Sequence, residues 1–150
     1  MAGKDNIQGE QVKKLDVLAN DIFINSLTSS GKVSVMVSEE NEDAIIVQDA
    51  SMRGKYCVVF DPLDGSSNID SGISIGTIFG VYQILEGKED LVKNVLRPGR
   101  EMVAAGYAVY GSFTTLVLST GDGVNGYTLD PNLGEFILTN PNVSKHRLHI

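Results

Sequence analysis

Asp61 and Asp64 stand three residues apart, separated by Pro62 and Leu63, and Gly65-Ser66-Ser67-Asn68 follows at once. Proline has a fixed φ and steers the residue before it toward extended backbone, so Asp61 is expected to close a strand while Asp64 turns back beside it. A close carboxylate pair suits a hard cation such as Mg²⁺, which takes oxygen ligands at about 2.0–2.1 Å in near-octahedral geometry. The carbonyl of Leu63, lying between the two acids, offers a third oxygen. Gly65 permits a tight turn or a close backbone approach. Ser66, Ser67 and Asn68 are residue types favoured at helix N-caps. A helix or turn that begins there aims its free N–H groups at an anion such as phosphate. The plainer alternative is a strand, an Asp-Pro turn and a capped helix whose acids are merely solvated.

Other acids can be brought to the same place by the elements that carry them. Val33-Ser34-Val35-Met36-Val37-Ser38 is rich in β-branched residues and predicts a strand, which runs out into Glu39-Glu40 and the polar Asn41-Glu42-Asp43. Carboxylates at the end of one strand are well placed to meet those at the end of another, although glutamates there are also commonly solvated. Upstream, Val12, Leu15, Leu18, Ala19, Ile22, Phe23 and Leu27 recur at three- and four-residue steps, the period of an amphipathic helix. Asp16 sits beside that stripe, either on the surface or facing a site.

Longer stretches carry a resemblance. Lys13-Lys14-Leu15-Asp16-Val17-Leu18, Val37-Ser38-Glu39-Glu40, Arg53-Gly54-Lys55-Tyr56, Asp61 through Asp70, Gly76-Thr77-Ile78-Phe79-Gly80, Ala104-Ala105-Gly106-Tyr107 and Leu129-Asp130-Pro131 follow one another in order. Together they resemble the class I fructose-1,6-bisphosphatases over about residues 8–143. Asp-Pro-Leu-Asp-Gly alone is shared with inositol monophosphatases and other lithium-sensitive phosphatases. The Ser-Ser-Asn-Ile-Asp continuation is more similar to the bisphosphatases and speaks against an inositol-phosphatase type. The resemblance implies Mg²⁺ as cofactor, with Mn²⁺ or Zn²⁺ able to substitute, held by Glu39, Asp61, the Leu63 carbonyl and Asp64. It implies that Asp16 and Glu40 orient or deprotonate the attacking water, and that Asp64 with Gly65, Ser66, Ser67 and Asn68 binds the substrate 1-phosphate. More loosely, Glu10 falls near a third-metal loop acid, and Lys55 and Tyr56 match a remnant of an AMP site. The implied reaction is hydrolysis of fructose 1,6-bisphosphate to fructose 6-phosphate and phosphate, in a homo-oligomer (a tetramer in the family). Measured against that family, the chain lacks the second, sugar-binding domain and the N-terminal helical segment. An inactive fragment that keeps metal and phosphate binding or oligomer contacts is therefore the alternative expectation.

The remaining sequence bounds these readings. At 150 residues the chain is long enough for one domain with a real core, so residues 1–150 are expected to form a single metal-binding N-terminal unit, with 144–150 as a disordered tail. His146 and His149 fall in that tail. A net charge of −7 argues against a general nucleic-acid surface. No membrane span or targeting segment is visible, and the expected location is the cytoplasm. Cys57 is alone, in an apolar run, and is expected to be a buried thiol. Strands are expected over 44–47, 56–60, 73–85 (bending at Gly76 or Gly80), 103–110, 114–119, 126–129 and 135–139, with a polar connection over 86–100. Gly- and Asp-rich turns between the later runs predict antiparallel hairpins. The fold class expected is α+β: a long N-terminal helix packed on a mainly antiparallel sheet, as in the N-terminal subdomain of the sugar-phosphatase fold.

Overall fold

The computed structural model describes residues 14–85 and 91–144, together with the backbone alone of Lys4–Asp5, Gln11–Val12 and Asp70. Glu10, the tail with His146 and His149, and the segment 86–90 lie outside the described residues. Strands β1 (Lys4–Asp5) and β2 (Gln11–Val12) pair antiparallel with each other. Helix α1 (Lys14–Ser29) follows, then β3 (Val33–Ser38), β4 (Ile45–Ile46), β5 (Tyr56–Asp64), β6 (Ile75–Gln83), β7 (Ala104–Tyr110), β8 (Thr114–Ser119), β9 (Val124–Asp130) and β10 (Glu135–Asn140). The last eight strands form one sheet in the order β10-β9-β8-β7-β6-β5-β3-β4. All neighbours are antiparallel except β3 and β5. From β7 to β10 the chain meanders through hairpins, as its turn residues predict.

Alternation along the inner strands sends side chains to two faces, and each face has its own core. On one, Met36, Val58 and Phe60 pack with Phe23, Ile24 and Leu27 of α1. Phe23 stacks on Phe60 with ring centroids 5.1 Å apart. On the other, Val35, Cys57 and Tyr82 pack against Leu91, Val95 and Met102. Cys57 is thus buried as expected, and its thiol is pushed up by that burial. Residues 91–100, expected as part of a plain polar connection, instead make two short 3₁₀ turns that cover this second face. Asn94 is fully buried there and accepts a hydrogen bond from the Leu85 amide at 2.9 Å. Arg97 lies over the Tyr82 ring, 4.9 Å from its centroid.

The helix is where the sequence expectation needs the largest correction. Leu15, Leu18 and Ile22 are not core residues; Leu18 is 54% exposed. They line an open groove of about 390 Å³ with Pro62, Leu63 and Tyr110. The stripe that faces inward is Asp16, Asn20, Phe23, Ile24 and Leu27, which also keeps helical spacing. The helix therefore buries polar groups at its start and apolar groups at its end. An apolar-only reading of the period is right at Phe23 and Leu27 and misses the core at Leu15, Leu18 and Ile22.

Candidate functional site

The one parallel pair in the sheet is what gathers the acids. Because β3 and β5 run the same way, their C-terminal ends lie side by side, and the Glu39 amide donates to the Phe60 carbonyl at 3.0 Å. Glu39 and Glu40 thus come alongside Asp61. In an antiparallel pair the same residues would sit at opposite ends of the sheet.

Strand β5 does not stop at Asp61, as the proline suggested. It continues to Asp64 through a bulge: Asp61 pairs with Ile78 and Asp64 with Gly76, so β5 holds one more residue than β6 in that interval. In an unbroken strand, residues three apart point to opposite faces. The extra residue restores the phase. Pro62 and Leu63 both turn toward α1 and are buried, whereas Asp61 and Asp64 emerge on the other face. Proline costs the ladder no donor here, and the Leu63 amide is satisfied by Asp61 Oδ1 at 3.0 Å.

After the bulge, Gly65 takes the left-handed conformation, φ +81°, which a β-carbon would strain. A 3₁₀ turn, Ser66–Ser71, follows, and the Asn68 amide closes back on the Gly65 carbonyl at 2.9 Å. Glycine, not a serine or asparagine, is therefore the N-cap, and no side chain caps the turn. Asp64, Gly65, Asn68 and Ser74 line a depression of about 460 Å³. Ser66 is half-buried and Ser67 exposed; neither lines that depression. Beside it a hollow of about 620 Å³ begins at Glu39 and Asp61 and continues over Ile78, Tyr107, Val117 and Val124. One wall is acidic and the rest apolar.

Asp16, with 1% of its surface exposed, reaches the same cluster from α1. A buried network joins the two acid-bearing elements one helical turn further on. The Ser38 hydroxyl donates to Asn20 Oδ1 at 2.7 Å, Asn20 Nδ2 donates to Asn41 Oδ1 at 2.8 Å, and the Glu40 amide donates to the Ser38 hydroxyl at 3.3 Å. Sequence reasoning passed over Asn20; its place four residues after Asp16 was the available signal.

The electrostatics follow from this crowding. Burial, then the charges of Glu39 and Asp16, then a hydrogen bond to Glu39, and finally the charge of Asp61 push the Glu40 carboxyl up to about 7. Burial, with the charges of Asp64, Glu39 and Asp16, pushes Asp61 up to about 6 against the Leu63 amide, which favours its charged form. The carboxylates face one another without closing into a ready cage: among the described residues no three His, Cys, Asp or Glu side chains stand as a finished metal site. The donors are nonetheless all oxygens, and a divalent cation would relieve the repulsion that raises these two groups. This set fits Mg²⁺ better than it fits a soft metal.

Lys55 and Tyr56 do not join the cluster. They stand at the opposite end of β5, roughly 17 Å of extended chain from Asp61. The Lys55 carbonyl accepts from the Ile84 amide at 2.8 Å, and the Tyr56 amide donates to the Lys32 carbonyl at 3.1 Å.

Comparison with known proteins agrees with this geometry. Residues 1–141 match the family model for the fructose-1,6-bisphosphatase N-terminal domain. The chain is 66% identical over 143 residues to the cytosolic fructose-1,6-bisphosphatase of Arabidopsis thaliana and 62% identical to that of Spinacia oleracea, covering 95% of this chain and 42% of each relative. A crystal structure of Leishmania major fructose-1,6-bisphosphatase in holo form superposes with a TM-score of 0.86 at 49% identity, covering 93% of this chain and 44% of that one. The chain thus spans less than half the length of these relatives. Through a matching N-terminal domain, the chain belongs to the fructose-1,6-bisphosphatase family.

Proposed function

We propose that Glu39, Asp61, Asp64 and the Leu63 carbonyl hold a divalent cation, Mg²⁺ by the hardness of the donors, with Mn²⁺ or Zn²⁺ as substitutes. The reaction is hydrolysis of the 1-phosphate of fructose 1,6-bisphosphate to fructose 6-phosphate and phosphate. The observation that carries this is the convergence of acids from α1, β3 and β5, phased by the bulge, beside a turn with a left-handed glycine. When bound, the cation supplies Lewis-acid polarisation of the phosphoryl oxygens and neutralises developing charge.

The chain's own residues do the rest. Backbone amides of Gly65, Ser66 and Ser67, with the side chain of Asn68, hold the phosphate; among the residues of that loop there is no Lys or Arg to do so. Water attacks phosphorus on the side away from the sugar oxygen, Glu40 takes the proton that the water gives up, and the phosphorus–oxygen bond to the sugar breaks, the leaving sugar oxygen taking a proton from solvent. A carboxylate standing beside Glu39 and Asp16 is placed for such a transfer. Asp16, buried beside it, orients the attacking water. Lys55 and Tyr56 form a remote surface for a regulatory nucleotide. The two plant relatives are named as cytosolic and the same location is assigned here; no described helix is long and apolar enough to cross a membrane. Self-assembly into a homo-oligomer is part of the same reading.

A second reading is favoured by one specific observation. The hollow beside Asp61 is open, with Ile78 and Tyr107 half exposed on its floor. A sugar held over it would lack contacts on one side, and catalysis needs substrate locked in near-attack geometry. On that reading the chain alone binds cation and phosphate without turnover. Phosphate release from fructose 1,6-bisphosphate with Mg²⁺, measured against Asp64→Ala, separates the two. Release well above the variant supports catalysis by this chain. Release equal to it, with metal binding retained, leaves binding as the function.

A further inference from the structure

We infer that Thr77, near the start of β6, is a positioning residue for the Asp61–Asp64 cation site. It holds the β5 bulge in the phase that puts both carboxylates on one face. The inference rests on the reading of those aspartates as cation ligands and adds a residue that the acid pattern does not reveal.

A bulge interrupts a ladder, so its backbone groups need partners from elsewhere. The Leu63 amide finds one in Asp61. The Pro62 carbonyl finds one in the Thr77 hydroxyl, which donates to it at 2.8 Å. That hydroxyl has a single proton. Having given it to Pro62, it accepts from the Tyr110 hydroxyl, 2.7 Å away on β7. The relay therefore runs from Tyr110 through Thr77 to the peptide between the two acids. It crosses three adjacent strands of the sheet.

Burial gives the relay its force. Thr77 is 3% exposed and the Pro62 side chain is fully buried, so water cannot replace the lost donor. A buried carbonyl left unpaired is costly. The competing arrangement is a regular strand with no extra residue, and a one-residue slip sends a side chain to the opposite face. Asp64 would then point toward α1, away from Asp61. The Thr77 hydroxyl is satisfied by the bulged Pro62 carbonyl and so favours the bulged register. It acts on the cation site through backbone alone.

Manganese titration of the 150-residue chain by calorimetry tests this, using wild type, Asp64→Ala, Thr77→Val, Thr77→Ser and Tyr110→Phe. Valine matches threonine in shape and lacks the hydroxyl; serine keeps it. Thr77→Val is expected to weaken Mn²⁺ binding about tenfold or more, in the range seen when a partner behind a ligand is lost, with Thr77→Ser within about twofold of wild type. Tyr110→Phe, which removes only the outer donor, is expected to weaken binding by about threefold. Val47→Ala, in the core away from the bulge, is expected to lower the melting temperature without moving the affinity. Wild-type affinity in Thr77→Val overturns the inference, as does equal weakening by valine and serine. If Thr77→Val does not fold, Tyr110→Phe decides, and unchanged affinity there overturns the inference. Equal binding by wild type and Asp64→Ala, or none by either, overturns the cation reading itself and the inference with it.

Discussion

The sheet has two unlike halves. On β3, Val35 and Met36 are consecutive residues that point to opposite faces, and both are fully buried. On β10, Phe136, Ile137 and Leu138 also alternate, yet all three are exposed, Ile137 by 46%. Both strands are six residues long and carry an apolar run; β3 is paired on two sides and β10, at the edge, on one. What differs further is cover: α1 lies over one face of the inner strands and residues 91–102 over the other, whereas β8 to β10 have no described layer on either face. Alternation makes a strand, but a second layer makes a core. The acids sit where the covered half meets the open one. Asp16 is buried, the Glu39 and Glu40 amides are bonded to Phe60 and Ser38, and the hollow that Glu39 and Asp61 border opens over β6 to β9.

Truncation should separate the halves most sharply. Met36→Ala is expected to cost about 2–5 kcal/mol in urea unfolding, as large-to-small changes in a closed core do. Ile137→Ala on the open edge is expected to cost less than about 0.5 kcal/mol. Similar losses at the two sites would break the contrast. Next in size is the seam between helix and acid turn. Ser38→Ala leaves Asn20 Oδ1 and the Glu40 amide without their partner in a buried place and is expected to cost about 1–3 kcal/mol. Thr128→Ala, whose hydroxyl bond to Thr139 at 3.1 Å is exposed, should cost a few tenths at most, about what surface changes do. Smaller still in free energy, but visible in size-exclusion chromatography, is self-association through the bare edge strand. Ile137→Lys should reduce it, since charge on an edge discourages strand pairing. Self-association unchanged by that lysine would point to a different surface.

The acid cluster adds a pH dependence confined to the covered half. Glu40 rises from 4.5 to about 7 and Asp61 from 3.8 to about 6, so the folded chain holds protons that the unfolded chain has released. The stability this gives is complete below the unfolded values and is lost as pH climbs through about 6 and then 7. Without added metal, the urea midpoint should therefore fall between about pH 5 and pH 8. In Glu40→Gln the fall should be shallower. A midpoint that rises over that interval would contradict the sign.

Much of this was legible in the sequence, and the misses have physical causes. Strands β3 and β5 to β10 were visible because β-branched runs and turn residues act locally. The acid pair at Asp61 and Asp64 was visible as chemistry, but the bulge was not. A proline between two acids fits a turn as well as an irregular strand, and the partner that favours the second, Thr77, lies on β6. Asp16 was seen but left open, since the stripe read from Leu15, Leu18 and Ile22 follows the groove and not the core. The expected bend at Gly76 or Gly80 does not interrupt the pairing with β7, which runs in register from Ile75 to Val81 with Gly76 opposite Val109. There the glycine answers a close approach, for a β-carbon would stand 2.5 Å from the Ala108 carbonyl oxygen. Distances of that kind belong to the assembled sheet, and no local pattern carries them.

Thermal unfolding with and without millimolar Mg²⁺ at about pH 8, where both raised carboxyls have lost their protons, tests the cation site most directly, using wild type beside Asp61→Asn. A cation at about a hundred times its dissociation constant contributes about 2.7 kcal/mol, or about 5–10 °C for a chain of this size. Wild type should show that rise. Asp61→Asn, with one repelling charge removed, should melt above wild type when metal is absent and should gain little when Mg²⁺ is added. A wild-type melting temperature indifferent to Mg²⁺, or a full response in Asp61→Asn, would contradict the assignment of this acid cluster as a metal site.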